Sequence, residues 1–139
     1  ATETLEGKFK LKISSGEHTL FADEPAAVGG LGTGLSPFEL VSAGLAACTV
    51  MTMRLYANRK GFPLERASAT VRHEKVPDMM PPDRFTRTIV LDGPLSDDQR
   101  TRILEIADRC PVDVTLVRGS DVQTELLMTD ETADSTSLG

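Results

Sequence analysis

The sequence predicts an α+β fold in which one long, apolar central helix lies against a largely antiparallel sheet. Apolar and polar residues alternate with period two near the start, again over residues 64–76, and again in RFTRTIVL, residues 84–91. That is the pattern of strands with one buried face. Between the first of these stretches and the others lies SPFELVSAGLAACTVMTMRLYANRKG, residues 36–61, too long and too continuously apolar for a strand. A second, amphipathic helix follows the last strand. Hairpins separated by helices favour antiparallel pairing over parallel crossover units.

Taken in order, Phe9, Leu11 and Ile13 alternate with Lys8, Lys10 and Lys12, Ser14-Ser15-Gly16 makes a turn, and His18 to Ala22 pair back. Residues 23–36, DEPAAVGGLGTGLS, hold four glycines without GxGxxG or Walker spacing, which makes them a loop and not a phosphate cradle. The long helix is predicted over roughly 37–60. Ser36 is its N-cap, Pro37 its first residue and Glu39 the third, a capping box, while Arg59, Lys60 and Gly61 suit its end. Apolar on every side through Val50, it must be covered all round, by a sheet on one face and a second subunit on the other.

Ala67, Ala69 and Val71 share one side of the next strand, the proline-rich loop VPDMMPPD follows, and RFTRTIVL pairs back. LSDDQRTRILEIADRC is the amphipathic helix, with Ser96 as N-cap, Gln99 at its third position and Ile103, Leu104, Ile106 and Ala107 as its stripe. CPVDVTLV starts a short helix behind Pro111, and SDVQTELL is expected as a last strand. Residues 1–129 form one domain, and 130–139 an acidic, Ser/Thr-rich tail expected to be disordered.

A net charge of −6 argues against nucleic acid, which needs a basic stripe to displace counterions, and against an anionic membrane surface. Thr, Ser and Glu interrupt the long helix, so no run of about 18 consecutive apolar residues predicts a membrane span. With no basic–apolar–small leader at the start, the cytoplasm is the expected location. Two cysteines are too few for a disulfide scaffold, and neither CxxC nor clustered Cys/His spacing suggests a metal.

Those cysteines are the candidate chemistry. Cys48, inside the apolar helix, reads on composition as a small buried hydrophobe. Cys110 differs, because Cys110-Pro111-Val112-Asp113 puts its sulfur at a helix N-terminus, where free N–H groups favour a thiolate. A thiol peroxidase needs one cysteine to become a sulfenic acid and a second to condense with it. Two cysteines suffice if folding brings their Cα atoms within about 7 Å.

GLSPFELVSAGLAACTVMTMRLYANRKG, then H-x-K, then ILEIADRCPVDVTL resemble the OsmC/Ohr family of peroxide-detoxifying proteins over about residues 8–127. The motifs A-C-T-x-M-T-x-R-x-Y-A and R-C-P-V are nearer its OsmC-like branch. The resemblance implies an OsmC-like fold in intertwined homodimers built around long central helices. It also implies a peroxidatic Cys48, a resolving Cys110, organic or fatty-acid hydroperoxide substrates, an external dithiol reductant such as a dihydrolipoyl group, and no metal or bound cofactor. Leu45, Val50 and Met51, with Met79 or Met80, would give an apolar wall for an alkyl hydroperoxide.

The chain departs from that family in what surrounds the nucleophile. The best-studied branch activates its cysteine with a glutamate earlier on the same helix and an arginine from an N-terminal strand. Here the first position is Phe38, and the first strands carry lysines only. Glu39 lies nine residues before Cys48, about 13.5 Å along the helix and half a turn round, out of reach within one chain. Arg54, six residues after Cys48 and about 240° round, could serve a partner's site or make a surface salt bridge. Asp113 stands where many relatives of this branch carry His, and His73 could lie near the cleft or pack beside the sheet. Two further readings therefore stand beside a peroxidase: a non-enzymatic redox-responsive or ligand-binding dimer of the same fold, and a structural dimer with inert core cysteines.

Overall fold

A computed structural model describes residues 1–129; the expected tail, 130–139, lies outside them. Among the described residues, two antiparallel sheets and three α-helices make up the α+β architecture. The first sheet has order β1-β2-β3, from Thr2–Glu3, Leu11–Ser15 and His18–Ala22. The second pairs β4, Arg66–Lys75, with β5, Asp83–Asp92, over ten residues of unbroken register from Arg66↔Asp92 to Lys75↔Asp83. Helix α1 spans Pro37–Lys60, α2 Asp97–Ala107 and α3 Pro111–Arg118.

Helix α1 has the termini its sequence predicts. Ser36 accepts from the Glu39 N–H and the Glu39 carboxylate accepts from the Ser36 N–H. Gly61 closes the other end at φ 66, a left-handed conformation that favours glycine. Its buried stripe, Ser42, Leu45, Thr49, Met53 and Ala57, follows the i, i+3, i+4 spacing of one helix face. That stripe lies on the inward face of the β4–β5 sheet, where Ala67, Val71, Phe85 and Ile89 are partly buried. Met53, Ile103 and Ala107 centre the core, flanked by Val50, Tyr56, Phe62, Ile89 and Leu91.

Although α1 has no run of 18 consecutive apolar residues, its average hydropathy is high. An 18-residue window has mean hydropathy 1.4, so by length and composition this one helix is apolar enough to cross a membrane. Ser42 and Thr49 are small, and both are buried within the fold.

Two expectations are corrected. Strand β2 starts at Leu11, not Lys8, because the chain turns first: Leu5 and Gly7 take positive φ, and Thr4 bonds Lys10 through both its N–H and its hydroxyl. The last expected strand does not form within the chain. Residues 119–128 carry no regular structure, and Val122, Leu126 and Met128 are exposed. A strand needs an edge to pair with, and β-propensity alone does not supply one.

The glycine-rich loop is organised by one buried carboxylate. Asp23 accepts from the N–H groups of Glu24, Leu31 and Thr33 and from the Thr33 hydroxyl. Burial pushes its pKa up, but these hydrogen bonds, those from Thr33 first, outweigh burial and hold it below the usual carboxylate value.

Candidate active site

Local sequence positions both cysteines. Cys48 sits mid-way along α1, partly exposed, one residue before the wholly buried Thr49. Cys110 is the N-cap of α3, and its sulfur accepts the Asp113 N–H at 3.3 Å. Pro111 at the first helical position has no N–H to leave unpaired. Because α1 packs on α3, two cysteines far apart in sequence become neighbours, with the Cys48 thiol close enough to act on the ionisation of Cys110.

Cys110 is fully buried. Burial is the main influence on its thiol and pushes the pKa above the ordinary cysteine value; the Asp113 N–H and Thr49 pull it down, and Cys48 pushes it up. Burial thus outweighs the pull towards ionisation that a place at a helix N-terminus alone suggests. Thr49 Oγ1 lies 3.9 Å from the Cys110 sulfur. The same hydroxyl donates to the Leu45 carbonyl at 2.7 Å, and across the sulfur contact either atom can be the donor.

A cation that sequence reasoning missed completes the site. Arg87 Nη1 donates to Thr49 Oγ1 at 2.9 Å and to the Ala107 carbonyl at 3.3 Å. Its Nη2 donates to Asp108 at 2.8 Å and Asp113 at 2.9 Å. The Asp113 charge is thus met by a guanidinium. The signal was strand parity: Arg87 falls on the inward side of β5 with Phe85, Ile89 and Leu91, a charge in an apolar row.

The other candidates stand elsewhere. Glu39 is engaged in the α1 capping box. Arg54 donates to the carbonyls of Leu64 and Glu65 at 2.7 and 3.2 Å, tying α1 to the connection before β4. His73 stacks on Phe38 with ring centroids 4.1 Å apart and meets Asp83 at 2.8 Å. Met79 and Met80 lie in the β4–β5 loop, Met80 almost wholly exposed.

A groove of about 790 Å³ opens beside the network. Phe38, Val41, Leu45, Phe85, Leu116 and Val117 give it apolar walls, and Arg87 and Asp113 are its polar groups nearest Cys110. Neither cysteine lines it.

Similar folds are known. The structure of an OsmC-like protein from Mycoplasma pneumoniae matches with TM-score 0.66 and 20% identity, covering 78% of this chain and 79% of that one. An organic hydroperoxide resistance protein OsmC from Legionella pneumophila matches with TM-score 0.57 and 23% identity, covering 84% and 93%. An organic hydroperoxide resistance protein from Elizabethkingia anophelis matches with TM-score 0.58 and 16% identity, covering 82% and 91%. No curated protein matches the sequence. At these identities the likeness is one of fold. The sequence model described as OsmC-like protein matches residues 30–125, a stretch that contains α1, β4, β5, α2, α3 and both cysteines. This chain belongs to the OsmC-like protein family.

Proposed function

We propose that the protein is a thiol-dependent peroxidase that reduces organic hydroperoxides. The observation carrying this reading is the adjacency of Cys48 and Cys110 across α1 and α3 within one chain. Cys48, the more accessible sulfur, attacks the terminal peroxide oxygen as a thiolate; the O–O bond breaks, the alcohol leaves, and Cys48 becomes a sulfenic acid. Cys110 then displaces the sulfenic oxygen, which departs as water with the Cys110 proton, leaving a disulfide. An external dithiol, such as a dihydrolipoyl group, reduces it by exchange. No bound cofactor is needed, and a reducing cytoplasm would supply the dithiol. The apolar groove suits a hydroperoxide carried on an alkyl chain, and the family's hydroperoxide resistance proteins support the same substrate class.

The working unit in this reading is a homodimer. Within one chain α1 is covered along one stripe only, leaving Met51 71% and Leu55 54% exposed. Light scattering should give twice the chain mass. Peroxide consumption with a dithiol tests the activity: turnover in wild type and its loss in Cys48→Ser and Cys110→Ser are expected, and equal turnover in all three eliminates the reading.

A second reading, a redox-responsive dimer without turnover, is favoured by one observation. Arg87, the cation of the site, is committed to two carboxylates, and burial disfavours a Cys110 thiolate. A disulfide that forms with peroxide but is not recycled by dithiol would select it.

A further inference from the structure

Arg87 occupies an unusual place for an arginine, on the inward face of β5 with its side chain only 13% exposed. A guanidinium there must be held by partners, because desolvating it without them is costly. Its four partners are distributed in a way that concerns both sulfurs. Thr49 follows Cys48 on α1, Ala107 ends α2, Asp108 is the α2 C-cap, and Asp113 lies in the first turn of α3, whose N-cap is Cys110. One rigid fork therefore ties the α1 turn carrying Cys48 to the α2–α3 junction carrying Cys110. Disulfide geometry is narrow, with Cα atoms about 4.4–6.8 Å apart and a restricted dihedral, so a small slip between these elements decides whether the sulfurs can join. A lysine keeps the charge but not the planar fork of donors.

We propose that Arg87 is the positioning residue that sets Cys48 against Cys110, governing how readily their disulfide closes. The inference deepens the proposed function and rests on its pairing of the two cysteines, but does not need peroxide chemistry.

Glutathione redox buffers test it on the full chain. Cys48, the accessible thiol, attacks glutathione disulfide, breaking its S–S bond and releasing one glutathione thiol. Cys110 then displaces the second. Two protein S–H groups become one S–S bond, and glutathione disulfide is reduced to two thiols that take up the two protons. Acid quenching, alkylation and intact-mass measurement give the effective concentration of the pair.

Arg87→Lys should lower that value about tenfold, the scale of one lost hydrogen bond to a charged group. Arg100→Lys should stay within about twofold of wild type. Arg100 is a matched control, since it also clamps backbone, at the Leu91 and Gly93 carbonyls, and bonds to neither cysteine-bearing turn. If Arg87→Lys does not fold, Asp113→Asn, which removes one anion from the fork, should show a smaller fall in the same direction. A wild-type value in the Arg87 variant, or in Asp113→Asn where that stands in, overturns the proposal. So does an equal fall in Arg100→Lys, or a wild-type chain that closes no intramolecular disulfide at any buffer ratio. Normal closure without peroxide turnover would strike the peroxidase reading alone.

Discussion

Thr49→Val is the substitution that most sharply separates hydrogen bonding from packing in the site. Valine matches threonine in shape, and the side chain is wholly buried, so volume and apolar burial are nearly conserved. What disappears is one oxygen that accepts from Arg87 at 2.9 Å, meets the Cys110 sulfur at 3.9 Å and donates to the Leu45 carbonyl at 2.7 Å. The last loss is mild, because that carbonyl retains its helical partner. The loss at Arg87 is the larger, because one N–H of a charged, partly buried group is left without an acceptor, at a cost of about 2 kcal/mol. With an unfolding entropy of about 0.3 kcal/mol/K for a chain of this length, the midpoint should fall by about 7 °C. Thr49→Ser keeps the oxygen and deletes a methyl, for about 1 kcal/mol or less. Thermal unfolding followed by circular dichroism, under reducing conditions and at one protein concentration, measures both. Valine should be the more damaging. A valine variant as stable as wild type, or more stable than the serine variant, would refute the hydrogen-bond account and leave packing as the role of Thr49.

Two further outcomes follow from the titrating groups. The folded pKa of Asp23 lies below its unfolded value, so its stabilisation is present above about pH 4 and is lost as pH falls through the folded value. Asp23→Asn should flatten the acid limb of a stability–pH curve, and an unchanged limb would remove Asp23 as organiser of the 24–34 loop. Cys110 is shifted the other way, so its contribution is full below the unfolded thiol value of about 8.5 and lost as pH rises through the folded value. Stability of the reduced chain should decline in that alkaline window, and Cys110→Ser should decline less; parallel curves would contradict the assigned burial effect.

Much of this architecture is legible in the residues because local rules happen to agree with the packing. Ser36-Pro37-x-Glu39 and Gly61 mark the ends of α1, and Cys110-Pro111 marks the start of α3. The alternation around Ala67 and Ile89 marks the two longest strands. The unreadable parts depend on partners. SDVQTELL has strand character, yet pairing is a property of two segments, and within one chain this one finds no edge. Arg87 was hidden for a related reason. Its parity on β5 says that it faces inward, but only the fold reveals that Thr49, Asp108 and Asp113 converge there. The position of Cys110 at a helix start was readable, whereas its complete burial, which opposes the expected ease of ionisation, depends on α1 packing against α3.

The central claim is that two sulfurs remote in sequence act as one redox pair. Reduced protein treated with one equivalent of an alkyl hydroperoxide, then acid-quenched, alkylated and weighed intact, addresses it directly. The account predicts that both thiols vanish together with the loss of two hydrogens, and that Cys110→Ser instead accumulates a sulfenic acid that a carbon-acid probe traps on Cys48. Two thiols still free after the peroxide is consumed, or oxidation that leaves Cys110 alkylatable in the wild-type chain, would contradict it.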